Sequence, residues 1–134
     1  MKTFSLQIVK PTGVSFEGEA ESLVVRTVGG DVGILAGHTD YVTPLGMGTA
    51  RITAEGQTRY AACIGGLLCV SGGSVKLVAT SFEWEDEIDI PRANASAERA
   101  RSVLDDKEHH TEAELALAEA RLKRALVRTG VRHF

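Results

Sequence analysis

Between Pro91 and Gly130 the chain contains no glycine, whereas before residue 90 glycines repeatedly separate short apolar runs. That change constrains the fold strongly. Glycine weakens a helix by about 1 kcal/mol per residue but supplies the positive φ that turns between strands need. The seam Ile88-Asp89-Ile90-Pro91-Arg92-Ala93 therefore joins a β domain, residues 1–87, to a helical element, residues 88–134. The seam also carries charge, and two readings of it stand: a joint, or a joint that is also a binding site.

Within the first part, Phe4, Leu6 and Ile8 alternate with polar residues and predict a half-buried strand closed by Pro11-Thr12-Gly13. Further strands are expected at residues 14–19, 23–28, 32–35, 41–43, 48–54, 58–70 and 75–79. Gly29-Gly30-Asp31, Glu55-Gly56-Gln57 and Ser71-Gly72-Gly73-Ser74 provide turns between them. Gly65-Gly66 interrupts the longest apolar stretch, which points to a bulge or a close backbone approach. Many short strands with no helix between them imply an antiparallel sandwich or barrel.

After the seam, Pro91 suits a first helical turn, Asp89 is the candidate cap, and Ile90 is pushed from helical geometry by the proline. Ala93, Ala97, Ala100 and Leu104 recur at helical spacing. Residues 107–110 break the pattern, and Thr111-Glu112-Ala113-Glu114 is a capping box that starts a second helix. Leu115, Ala118, Leu122, Ala125 and Leu126 form its expected apolar stripe. Glu119 and Lys123 make an i,i+4 pair, and Gly130 ends the helix. The result is an αα-hairpin with alanine faces, which bury little area, so its docking is expected to be marginal.

Composition limits what this architecture can do. The net charge of −3 argues against generic nucleic-acid binding. It is split, with 6 basic and 11 acidic side chains in residues 1–90 but 9 and 7 in residues 91–134. The basic run Arg121, Lys123, Arg124, Arg128 and Arg132 follows the last acidic residue, Glu119. Such a division predicts attraction between the two parts, or docking of the helical end on an acidic partner. No apolar run approaches the roughly 18 residues of a membrane span, and the alternating N-terminus is not read as a secretory signal. A cytosolic protein is the simplest reading.

Reactive constellations are not evident. Cys63 and Cys69 lie six residues apart on one expected strand, roughly 20 Å at about 3.3 Å per residue, beyond disulfide reach. They read as buried thiols, with a redox role as the alternative. The histidines His38, His109, His110 and His133 do not combine with them in any zinc-ligand spacing. His38, in a loop, is either a general base without an identifiable partner or a structural and interface residue. The acidic cluster Glu83, Glu85, Asp86, Glu87 and Asp89 complements a helix N-terminus or contributes to a ligand site.

Two segments, Gly30-Asp31-Val32-Gly33-Ile34-Leu35-Ala36-Gly37-His38 and Ile64-Gly65-Gly66-Leu67-Leu68-Cys69-Val70, resemble those of the epsilon subunit of bacterial F-type ATP synthases. With the seam and the alanine-rich hairpin, the resemblance covers essentially the whole chain in order. It departs at Ala36, where the family usually has proline, and at Pro91. It implies an N-terminal β-sandwich of about ten strands and a C-terminal two-helix hairpin. It also implies a non-catalytic rotor subunit that couples the catalytic head to the membrane ring during proton-driven ATP synthesis.

By that resemblance the sandwich binds the gamma subunit and the c-ring, and Asp31 and His38 match positions near those contacts. The hairpin would regulate ATP hydrolysis. Folded down it leaves the enzyme free; extended, its basic end meets acidic segments of the catalytic subunits. The chain would sit on the cytoplasmic face of the bacterial plasma membrane without inserting in it. No cofactor is required, but some members bind a regulatory ATP. Ile88, Asp89, Arg92, Ala93 and Arg99 match that motif, Glu83 matches an upstream acidic position, and Arg124 and Arg128 match two basic residues of the second helix. The rival reading is a free-standing ATP-sensing module with no rotor role; a small sandwich enzyme centred on His38 is a third.

Overall fold

The computed structural model describes residues 2–131, so the sequence readings at Arg132 and His133 lie outside the described residues. Eight strands come first: β1 (Phe4–Lys10), β2 (Gly13–Ala20), β3 (Ser22–Thr27), β4 (Gly30–Leu35), β5 (Tyr41–Pro44), β6 (Met47–Ala54), β7 (Gln57–Ser71) and β8 (Ser74–Trp84). Two helices follow, α1 (Ile90–Asp105) and α2 (Glu112–Thr129).

The strands form one sheet in the order β2-β1-β8-β7-β6-β3-β4, with β5 also on β7. That sheet is folded over on itself. β7 pairs with β6 through residues 57–64 and with β5 through residues 67–70. β8 follows β7 along its whole length, and its first half also pairs in parallel with β1. One layer is thus β2-β1-β8-β7-β5 and the other β4-β3-β6-β7-β8. The resemblance implied about ten strands; the eight here give five per layer because β7 and β8 each serve both.

The crease is at Gly65 and Gly66, with φ of +67° and +120°. A Cβ on Gly66 would be driven into the Val78 carbonyl oxygen, so only glycine fits. The corner between β5 and β6 bends alongside: Leu45 N–H donates to Gly66 O at 2.9 Å, and Gly65 N–H to Gly46 O at 3.0 Å. Across the crease the inward positions change parity, from Ala61 and Cys63 to Leu68 and Val70 in β7, and from Val75, Leu77 and Ala79 to Phe82 and Trp84 in β8. Simple alternation therefore ends the last strand at residue 79, whereas β8 continues to Trp84.

Between the layers lies one core, with Leu6, Ile8, Leu23, Ile34, Ile52, Leu68, Leu77 and Phe82 almost wholly enclosed. Cys63 is within it, and burial pushes its thiol up to about 12. Cys69 is only half-buried, because it points outward from β7. Tyr60 and Ala62 are also buried although they face away from the core, since α2 covers them.

Gly66→Ala is expected to cost about 3 kcal/mol or more, or to prevent folding, because backbone must move to admit the methyl group. Gly72→Ala, at a left-handed turn position with open space, should cost about 1 kcal/mol. Chemical denaturation midpoints of the two variants check this; equal midpoints would remove the crease argument.

Candidate functional site

The seam is built from caps. Glu85–Glu87 forms a single 3-10 turn, and Trp84 N–H donates to Glu87 Oε1 at 3.0 Å. Asp89 Oδ1 then accepts from Arg92 N–H at 3.0 Å and starts α1, with Pro91 in the first turn. Ile90, expected outside the helix, is its first residue; the Asp89 cap fixes the chain before the proline ring can exclude it. Beside the seam, the Arg59 guanidinium lies 3.7 Å from the centre of the Trp84 ring. The sequence reading missed Arg59; its only signal is a basic residue near the end of a strand that pairs with the chain's single tryptophan strand.

α1 and α2 pack face to face through Ala93, Ala97, Ala100, Ala118 and Ala125, all buried. Their connection is a second set of caps. Thr111 Oγ1 accepts from Glu114 N–H at 3.1 Å, while Glu114 Oε1 accepts from Thr111 N–H at 3.3 Å. His110 and these Thr111 contacts hold the Glu114 carboxyl below the usual carboxylate range. Leu126, expected in the buried stripe, is exposed. The last turns rotate past it and present Val127 and Val131 to Tyr60, Ala62 and Ile88 instead.

The residues matched to a regulatory nucleotide are brought together only in part. Glu83 and Arg128 meet directly, with Arg128 Nε donating to Glu83 Oε1. Ala93 lies in the helix–helix interface and Ile88 against the α2 patch. Arg99 borders a groove of about 510 Å³ between the helices, which Arg121 also lines and Arg124 does not. Arg92 and Arg124 are exposed, and Asp89 is committed to its cap.

Asp31 and His38 are separated, at opposite ends of β4. Asp31 pairs with Arg26 at 2.6 Å, which raises the arginine further above its ordinary range. His38 Nδ1 lies 2.7 Å from Thr39 O, and its ring centre is 5.9 Å from that of Tyr41. Exposed apolar residues accompany each, Val28 near Asp31 and Leu35 near His38.

The two outer faces of the folded sheet differ. One carries α2. On the other, Pro44, Leu67, Val78 and Val9 are successive partners in register across β5, β7, β8 and β1. Their strand neighbours Thr43, Leu68, Leu77 and Ile8 are buried, so this row points outward. With Val14 and Val42 beside it, the row makes an apolar stripe; Leu67 and Val78 are 40% and 41% exposed although each sits mid-sheet. No single residue reveals this face in the sequence, because it depends on register between distant strands.

A folded β-sheet with one face covered by its own helical hairpin and the other carrying an exposed apolar stripe defines a protein of the sandwich-plus-hairpin class. Family models for the ATP synthase delta/epsilon chain match it twice, the β-sandwich domain over residues 3–85 and the long α-helix domain over residues 86–131. The chain belongs to that family. It is 42% identical over 132 residues to the ATP synthase epsilon chain of Ruminococcus albus, covering 98% of this chain and 97% of that one. To the epsilon chain of Caldanaerobacter subterraneus it is 40% identical over 131 residues, covering 97% and 94%. Among solved structures, a chain of the Euglena gracilis mitochondrial ATP synthase superposes with a TM-score of 0.79 over 90% of this chain and 76% of its own, at 23% identity, which shows a shared fold. The protein is thus a non-catalytic stalk subunit of the ATP synthase type, and the free-standing sensor is not favoured.

Proposed function

We propose that the bare apolar face is the surface by which this subunit docks on the gamma subunit, and that the sandwich thereby links the catalytic head to the c-ring of a proton-driven ATP synthase. The carrying observation is the register row Pro44–Leu67–Val78–Val9, a stripe through the middle of a layer that leaves large side chains in water. Asp31 and His38, each beside an exposed apolar residue, are the proposed ring-side contacts. No described helix is long and apolar enough to cross a membrane, in keeping with a peripheral place, which we assign to the cytoplasmic face of the bacterial plasma membrane. Residues 1–87 then act as the rotor-binding domain and residues 88–134 as the regulatory arm.

The arm is proposed to restrain ATP hydrolysis when it leaves the sandwich and its basic end meets acidic segments of the catalytic subunits. Its small, alanine-faced interfaces support this, because a narrow contact leaves the docked and undocked states close in free energy. Regulatory ATP is the second part of the reading. Arg99 at the groove, with Arg92 and Arg124, would take the phosphates, and the backbone around Ile88 and Ala93 would face the base beside the Asp89 cap and the Glu83–Arg128 pair.

Val78→Glu should weaken co-elution with gamma at least about tenfold, because a charge would be buried against an apolar partner, while leaving the isolated fold intact. Unchanged co-elution would sink the assignment of this face. Deleting residues 91–134 should raise ATP hydrolysis by the assembled enzyme about two- to tenfold without loss of assembly; an unchanged rate removes the inhibitory role. Calorimetric titration of ATP into the isolated chain should show saturable binding that Arg92→Ala weakens about tenfold. Saturation unaffected by that change would mean the nucleotide lies elsewhere.

A further inference from the structure

The hold of the hairpin on the sandwich is narrow. α1 packs mainly on α2, and α2 reaches the sheet chiefly at β6 and β7. The apolar part of that contact is Tyr60, Ala62, Ile88, Val127 and Val131. Next to it, among the described residues, lies a charge pair between the two parts, Arg128 of α2 with Glu83 of β8, separated by 45 residues in the chain. Glu83 is the register partner of Ala62, so it borders the apolar patch directly. The patch shields both side chains, which are 29% and 32% exposed, whereas the other ion pairs between described residues of the hairpin lie within it.

The surroundings sharpen the dependence. Glu83 begins the acidic run with Glu85, Asp86, Glu87 and Asp89, and Arg128 follows Arg124 by one helical turn. Each member of the pair therefore has like charges near it in sequence and an opposite charge in contact. Losing the partner leaves a shielded charge beside others of its own sign, which is more costly than losing an exposed surface pair. The patch of Tyr60, Ala62, Ile88, Val127 and Val131 is smaller than a leucine-rich interface, so the arm is held loosely enough for the pair to tip the balance.

We infer that the Glu83–Arg128 ion pair is the release catch of the hairpin: made, it holds the arm on the sandwich; exchanged for a carboxylate on another surface, it lets the arm go. This rests on the reading of residues 88–134 as a mobile arm. While the catch is closed, the charge of Arg128 is neutralised. An acidic surface that competes for it exchanges one carboxylate for another, so opening needs no net loss of an ion pair. Solvent salt does not make that exchange, but it screens the catch itself.

Hydrogen exchange on the isolated full-length chain tests the catch without any partner, so its failure is distinct from failure of the docking proposal. Glu83→Gln and Arg128→Gln should each speed exchange of amides 112–129 about three- to tenfold, with amides of β7 unchanged as the control for folding. The charge-reversed pair Glu83→Arg with Arg128→Glu should recover most of the protection, which a purely steric role would not predict. Raising sodium chloride from 0.05 to about 1 M should speed exchange in the natural chain but not in Arg128→Gln. Unaltered protection in both single variants would overturn the inference. So would a salt response that is the same with and without Arg128, which stands as the deciding measurement if the reversed pair does not fold.

Discussion

The crease of β7 at Gly65-Gly66 is the constraint on which the rest depends. Without it the eight strands would form one broad sheet with two exposed faces and no interior. With it, the same hydrogen-bonded sheet supplies both layers, and Ile8, Leu68 and Leu77 close against Leu23, Ile34 and Ile52. The position admits only glycine because the Val78 carbonyl occupies the space a side chain would need. Folding one sheet in half also creates two unequal outer faces. One face carries the chain's own helices, and the other offers an apolar stripe.

Much of this was legible in the residues. Alternation and turns marked the strands, and the loss of glycine marked the change to helix. Asp89 and the Thr111–Glu114 box marked both helix starts, because capping is a local hydrogen-bonding problem with few solutions. What failed to be read was non-local. Residues 80–84 break strict alternation because the crease flips which side chains face inward. Leu126 satisfies a helical stripe yet is exposed, since the sheet, and not the partner helix, decides which face the last turn buries.

The functional surfaces divide the same way. The meeting of Glu83 with Arg128, and the row from Pro44 to Val9, depend on pairings between residues far apart in the chain. Residue identity alone gave the first only through a family likeness and the second not at all. The four arginines matched by that likeness point in different directions: Arg128 to the sheet, Arg99 to the interhelical groove, Arg92 and Arg124 to solvent. Matching a motif fixes which residues are present, while geometry decides which of them can act together.

The parallel pairing of β1 with β8 bears on how the molecule is made. Ser5 lies opposite Ser74, and Val9 opposite Val78. The first strand must therefore wait for most of the sandwich to be synthesised before it gains its central neighbour, and such long-range closure is slow. The hairpin needs only contacts between nearby residues and can form quickly as it emerges. Its landing site on β6 and β7, however, belongs to a segment already made by then. Synthesis order thus presents a nearly complete platform to the helices, and the slowest step of folding precedes their docking.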